Sequence, residues 1–462
     1  MKKIYIILLG CSMIAFGGCK KFIDVNDNPN EPIAVKESLI LSPAETVIGS
    51  LLYSGNVSNI VLQYMQVMAL NQAPPNAGTY LMYNQDVNDD WNNFYVRALN
   101  NLVTLTKQAE ANGNSNYAGI SKILTAYTLG LTTDLWGDIP YSQAFSGIAN
   151  LKPVYDPQKN IYEQMQTLLD AGIADLAKNA GTVPGSDDFF YGGDNGKWTR
   201  LAYTLKARYY MHLTKAPGFT AAAQAQLALT ALEKGMTGQD DNFRLQYNGG
   251  AGLENPWQQN FLSASTIILS STVVDAFKTR NDPRLTKMVA PAVETGLYTG
   301  RLIGEEGIGS LESYSRPSSF YTGAAANNYL LTYPEALFLK AEATLIVSGV
   351  AAATPIYRTA VVSHMTQLGV TSADYEPYLA SRTLTSSNAL QLIIEEKGVA
   401  NFLSMESFVD FRRTGFPVLT RVKNSLSAIP RRVLYPQVEM SSNVQPQQSA
   451  KLTDRVWWDA AN

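Results

Sequence analysis

WNNFYVRALNNLVTLTKQAEA (91–111), NGNSN (112–116) and YAGISKILTAYTLGLTTDL (117–135) are consecutive, and their reading decides the fold. In the first run Trp91, Tyr95, Ala98, Leu102 and Leu105 recur at three- and four-residue steps, so they share one face of a helix. Asp89 or Asp90 stands just ahead of it as an N-cap. The Gly/Asn run then breaks the helix, and the Ala-, Leu- and Thr-rich second run returns as its partner. The unit is a helical hairpin.

The same period spreads outward. Over residues 38–70 it is carried by Leu51, Leu52, Val57, Ile60, Val61, Tyr64, Met65 and Met68. Ile161, Met165, Leu168, Leu169 and Leu176 define another helix, with its partner over Trp198–Thr214. Ala221–Lys234 is alanine-rich and suited to close packing; Leu331–Val347 and Pro355–Leu368 form a further pair, and Ala389–Phe411 reads as one more helix. Stacked hairpins of roughly 34 residues are the tetratricopeptide plan, although the strict repeat signature is absent. The expected fold is mostly α: tetratricopeptide-like helical hairpins with long irregular insertions at about 137–157 and 237–328. Insertions of that length, rich in Gly, Pro, Asn and Tyr, are usually functional.

The chain starts with Lys2 and Lys3, an apolar run over Ile4–Ile14, and then Ala15-Phe16-Gly17-Gly18-Cys19. This reads as a lipoprotein signal over residues 1–18 with Cys19 as the lipid acceptor, Phe16 standing where leucine is usual. The alternative is an ordinary signal with an incidental cysteine. The apolar run is shorter than the ~20 residues that span a bilayer. Residues 19–37 are expected to form the lipid anchor and a turn-rich tether, and residues 38–462 a single domain.

Composition narrows the function. With 36 basic and 39 acidic residues there is no cationic excess to neutralise phosphates, so no nucleic-acid partner is expected. Loss of the signal removes Cys11 and leaves no disulfide and no cysteine nucleophile. His212 and His364 are the only histidines; without carboxylates they cannot complete a zinc site, and neither lies in a triad frame. His212, within Tyr210–Leu213, reads as a packed or half-exposed helix residue. Asn84, Asp86, Asn88 and Asp90 alternate like a calcium loop, but glycine is missing at the sixth position and Tyr95 occupies the twelfth. No metal or cofactor is expected. Gly304, Gly307 and Gly309 have the wrong spacing for a nucleotide loop. The adjacent pairs Glu305-Glu306 and Glu395-Glu396 point two ways along a regular backbone, a poor start for a glycosidase.

Aromatic residues remain. The chain carries 25 Tyr, 6 Trp and 16 Phe against only 16% charged residues, which suits flat, wet contacts with sugar rings. For most of these rings, burial or the replacement of charge in an exported protein is the plainer explanation. Three clusters are candidates for ligand contact: Tyr80, Tyr83, Asn84, Asp86 and Trp91; Trp257, Gln258 and Asn260 in ENPWQQNF; and Tyr298, Tyr314, Phe320 and Tyr321 between glycines. Trp91 leans towards the core, since it shares a helix face with Tyr95 and Ala98. Trp257 leans towards solvent, with Pro256 and polar neighbours around it.

Several segments, in order, carry a resemblance: TDLWGDIPYSQAF (133–145), Pro153-Val154-Tyr155-Asp156, KWTRLAYTLKAR (197–208), NDPRL (281–285), LTYPEALFLKAEA (331–343), FRRTGFPVL (411–419), IPRRVLYPQVE (429–439) and Trp457-Trp458-Asp459. Behind the lipobox, the set resembles the SusD/RagB family, nearest its second SusD-like subgroup. Most of these residues read as structural. Gly137 ends a helix, Pro140 bars its continuation, Glu342 is expected to bond a neighbouring loop, and Arg412, Arg413, Arg431 and Arg432 are expected to pair with buried acids or carbonyls. The resemblance implies a surface-exposed outer-membrane lipoprotein without a catalytic site. It would sit as a lid on a TonB-dependent SusC-like transporter and capture oligosaccharide or, in some members, peptide. A peptide-binding or purely protein-binding scaffold of the same fold is the alternative, with a glycoside hydrolase behind it.

Overall fold

The computed structural model describes residues 35–262 and 265–460. Cys19, the 1–18 signal and the greater part of the 19–37 tether lie outside the described residues. Helices dominate: α1 (Ser38–Thr46), α2 (Asn56–Tyr64), α3 (Asn100–Ala111), α4 (Ser115–Trp136), α5 (Gln158–Lys178), α6 (Asn195–His212), α7 (Ala221–Leu232), α8 (Ser271–Thr279), α9 (Tyr333–Ser348), α10 (Val350–Gln367), α11 (Ser372–Ser381), α12 (Ala389–Ala400) and α13 (Glu406–Thr414).

The expected hairpins form in order. α3 packs on α4, α4 on α5, α5 on α6, α6 on α7, and α7 on α9, which pairs with α10. α4 is apolar or small on every face and is buried along almost its whole length, as the centre of the stack requires. Its crossing with α5 is fixed by two glycines: a Cβ on Gly119 would come within 2.9 Å of the Gly172 carbonyl oxygen, and one on Gly172 within 3.0 Å of that of Gly119. Gly137, at φ +80°, ends α4 and returns its N–H to the Thr133 carbonyl at 2.8 Å.

Two helical readings need correction. The 38–70 run is broken at Gly55, whose extended backbone starts α2 anew, and it ends in strand β1 (Met68–Leu70). The 389–411 run is two helices, α12 and α13, separated at Leu403 with φ +64°. That bend carries Lys397 of α12 back onto Glu406 and Asp410 of α13, at 3.0 and 3.1 Å.

The insertions are stapled by two-stranded antiparallel ribbons. β2 (Ile139–Pro140) pairs with β3 (Tyr155–Asp156); β1 pairs with β5 (Ile267–Leu269), Met68 opposite Leu269 and Leu70 opposite Ile267. β4 (Phe243–Leu245) pairs with β8 (Asn328–Leu331), and β6 (Val289–Ala290) with β7 (Arg316–Pro317). The second insertion also contains α8, whose short apolar period is easily missed among its Gly- and Pro-rich neighbours.

Between the helices runs a buried ionic chain. Arg208 grips Glu335 at 2.8 and 2.7 Å; Glu406 meets both His212 and Lys397 at 3.0 Å; Arg413 takes both Glu342 oxygens at 2.5 and 2.6 Å. Glu342 is thus bonded to Arg413 on helix α13 and not to a loop. The other arginines bond as their motifs imply: Arg412 donates to the Asp134 carbonyl at 2.7 Å, Arg431 to Asp459 at 2.7 Å, and Arg432 to the Trp136 carbonyl.

Candidate functional site

One face of α2 is polar where the core would want apolar side chains. Asn56, Asn59, Ile60 and Gln63 stand at i, i+3, i+4 and i+7, so they line up along the helix. They form one wall of a cleft of about 740 Å³. The opposite walls come from the loop after β1 (Gln72, Asn76, Leu81, Tyr83, Asp86) and from Ser265–Ile267 at the start of β5.

The loop is held in shape by its own short polar residues. Thr79 and Asn76 bond each other's backbone across a single turn, the Asn76 amide donates to the carbonyls of Gln72 and Ala73, and Gln72 reaches Thr266 at 3.2 Å. Asp86 accepts the Tyr83 N–H at 2.8 Å, and Asn56 donates to the Asp86 carbonyl at 2.7 Å. Tyr83 is left 54% exposed on the rim, its ring free to stack.

Asn59 and Gln63 contribute a different property. They are 8% and 3% exposed, and their amide nitrogens donate to the carbonyls of Gly55 and Asn59, at 3.0 and 3.1 Å. Their side-chain oxygens have no hydrogen-bond donor. Most buried polar atoms in folded proteins are hydrogen-bonded, and an undonated one leaves room for a partner such as an ordered water or a ligand. Asp86 is the one acid among the lining residues, and no lysine or arginine joins it. The cleft therefore disfavours anions and offers polar partners to a ligand rich in hydroxyls or amides.

The other candidates separate cleanly. Tyr83 and Asp86 line the cleft. Tyr80 is 2% exposed and packs edge-on against Tyr64 at 5.9 Å. Asn84 is committed to the Tyr435 carbonyl at 2.7 Å, and Trp91 is buried, with its ring against Trp136 at 5.2 Å. Trp257 reverses its expectation: it is 1% exposed, edge-on to Tyr53 at 6.3 Å. Asn255 caps the short helix Pro256–Asn260 at the Trp257 N–H and turns the ring inward, while Asn260 bonds the Ser54 carbonyl at 2.8 Å. Gln258 and Tyr314 line a separate, smaller depression. Tyr314 accepts from Arg301 at 3.1 Å, Tyr298 is half-buried, Phe320 stacks on Tyr329 at 5.9 Å, and Tyr321 is buried against Phe402 at 5.0 Å.

Asn59 and Gln63 were not among the sequence candidates. The available signal was the row Asn56, Asn59 and Gln63 on one face of a helix whose other side chains are mostly apolar. Among the described residues no group of three or more His, Cys, Asp or Glu is placed to hold a metal ion. Asn88 accepts from the Val438 N–H and Asp90 from the Val57 N–H, both at 3.1 Å, so the alternating acids serve loop packing. Glu395 and Glu396 are both taken up by arginines, Glu395 by Arg382 at 2.7 Å and Glu396 by Arg284 at 2.6 Å.

Comparison with known proteins gives a consistent fold. A chitin-binding protein superposes with a TM-score of 0.80 at 24% identity, covering 92% of this chain and 100% of its own. A SusD/RagB family protein from Bacteroides thetaiotaomicron VPI-5482 gives 0.78 at 23% identity, covering 93% of this chain and 100% of its own. A chitin-binding SusD homolog from Flavobacterium johnsoniae gives 0.78 at 22% identity, covering 92% and 99%. No curated protein matches the chain. The family model described as "Starch-binding associating with outer membrane" matches residues 29–436, and the chain belongs to that family, SusD-like_2.

Proposed function

We propose that the protein is a non-catalytic, lipid-anchored receptor at the outer-membrane surface. It captures an uncharged oligosaccharide in the cleft beside Tyr83 and passes it to a TonB-dependent SusC-like transporter. Cys19 is the anchor in this reading. The observation that carries it is an exposed ring on an amide-lined cleft: Tyr83 offers an apolar plane to a sugar's C–H face, Asn56, Gln72 and Asn76 bring amides to the cleft for hydroxyls or acetamido groups, and Asn59 and Gln63 stand in the wall with buried, undonated oxygens. The starch-binding description of the family and the chitin-binding relatives support the ligand class.

Each stacked ring contributes modestly, so solution affinity is expected between micromolar and millimolar. Confinement at a transporter's mouth then raises the effective concentration. Calorimetric titration of the mature protein with malto- and chito-oligosaccharides tests this. Saturable binding to one series, weakened in Tyr83→Ala, supports the reading. Absence of binding to both, or an unchanged constant in Tyr83→Ala, removes it. Co-purification of a barrel partner from membranes tests the transporter arm separately.

A further inference from the structure

A second cavity, of about 380 Å³, lies at the other end of the β1–β5 ribbon. The polar cleft meets that ribbon at Leu70 and Ile267, whereas this cavity begins at Met65–Val67 and Thr272. Two helix faces form its walls. On α8, Val273, Ala276 and Phe277 share one side, with Arg280 just past the helix end; on α12, Gln391, Glu395 and Gly398 do, with Phe402 beyond it. Pro417–Leu419 close a third side, and Val418, 69% exposed, stands at the mouth.

Gly398 is the informative residue. After proline, glycine is the least favourable residue in a helix interior. Packing does not require it here: a Cβ at Gly398 would meet no atom within 4 Å, unlike those at Gly119 and Gly172, which would strike backbone. The glycine leaves open a space that no described side chain fills.

The chemistry of an occupant follows from the walls. Phe277, Phe402 and Met65, each at most 5% exposed, line the cavity with ring and thioether atoms behind the more accessible Val273, Val399, Val418 and Leu419, and this apolar lining suits a flat aromatic partner. At the polar end Arg280 meets Glu395 at 3.0 Å, Glu395 also meets Arg382 at 2.7 Å, and Asp282 meets Arg284 at 2.6 Å. Each of these charges already has its opposite, so a charged ligand would find no counter-ion. We propose that this cavity binds a small, uncharged aromatic molecule between Phe277 and Phe402, independently of the Tyr83 cleft.

Calorimetry of the mature protein with indole tests the proposal, with indole-3-acetate as the charged control. Expected is saturable binding of indole with a Kd of about a millimolar or tighter, in keeping with so small a ligand. Binding of indole-3-acetate should be weaker by about tenfold or more, the penalty of an unpaired charge in an apolar site. Gly398→Leu and Ala276→Phe fill the cavity from opposite walls and should each abolish indole binding. Gly398→Leu should melt no lower than wild type, since leucine favours the helix, and Ala276→Phe provides the test if Gly398→Leu fails to fold. Tyr83→Ala should bind indole unchanged, which separates this site from the glycan reading. The proposal is overturned by lack of saturation up to about 10 mM, a concentration at which a well-fitted ring must bind. Equal binding of the two indoles, or binding retained in a folded filling variant, overturns it too.

Discussion

Gln63 donates its side-chain amide to the backbone carbonyl of Asn59 at 3.1 Å, and both residues, which line the cleft, keep buried amide oxygens without a donor. An undonated buried oxygen costs stability, and a donor from an ordered water or a ligand would recover it. Gln63→Met keeps the shape and removes one orphan acceptor. Its stability should stay within about 1 kcal/mol of wild type, while oligosaccharide affinity falls by about tenfold, the usual scale for a lost hydrogen bond. Urea melts together with calorimetry would show it. A large loss of stability with unchanged affinity would mark Gln63 as a packing residue only.

Tyr83 and Trp257 make the contrasting pair of rings. Tyr83 is 54% exposed, so Tyr83→Ala should leave stability within about 0.5 kcal/mol and weaken glycan binding by about 3- to 10-fold. Trp257 is 1% exposed, and Trp257→Ala should cost about 3–5 kcal/mol of stability. Any loss of ligand binding in Trp257→Ala should therefore track unfolding and recover on cooling or at low denaturant. Binding lost in a fully folded Trp257→Ala would contradict its assignment to the core.

The stack of hairpins was legible because its period is local. The spacing of Trp91, Tyr95, Ala98, Leu102 and Leu105 marks a helical run whatever lies around it, although the run winds as a π-helix over Asn93–Leu99 before α3 begins, and the turn at 112–116 is written in Gly and Asn. The site was only partly legible. Tyr83 and Asp86 could be picked out by residue type, but Trp257 could not be placed, because the Asn255 cap that turns its ring inward acts through backbone geometry. Asn59 and Gln63 resemble ordinary polar residues of an amphipathic helix until the opposite wall is known. That wall, Ser265–Ile267, is brought in by pairing across some two hundred residues, between Leu70 and Ile267.

The two histidines should pull stability in opposite directions with pH. Burial, and then the nearby charge of Arg284, push His364 down to about 3, with Asp282 opposing weakly. As pH falls below the ordinary value of 6.5, the unfolded chain gains a proton that the folded form refuses, so stability present above 6.5 is lost on the acid side. His212 is the reverse. Burial disfavours its proton, but Glu406 and Asp134 outweigh this and raise its pKa, so its contribution is full below 6.5 and fades as pH rises through the raised value. His364→Gln retains an acceptor for Arg284, which the imidazole meets at 3.2 Å. In that variant the slope of unfolding free energy against pH between about 6 and 4 should flatten by up to about 1.4 kcal/mol per unit. An identical slope in wild type and variant would mean that His364 takes up its proton without unfolding.

Arg413 and Glu342 are joined by two parallel hydrogen bonds, at 2.5 and 2.6 Å, with both side chains at most 2% exposed. Burial alone penalises both charges, and the attraction offsets that penalty only while both are present. Glu342→Met should therefore cost about 3–5 kcal/mol, since Arg413 would be left with Asp410 alone, and Asp410 is shared with Lys397. Arg413→Met should cost a similar amount. Replacing both by methionine removes the orphan charge, and the double variant should be less destabilised than the sum of the singles by more than about 1 kcal/mol. Denaturant melts of the four proteins give the coupling directly. Strict additivity would mean that the two side chains act separately and that the ion pair gives α9 and α13 no joint stability.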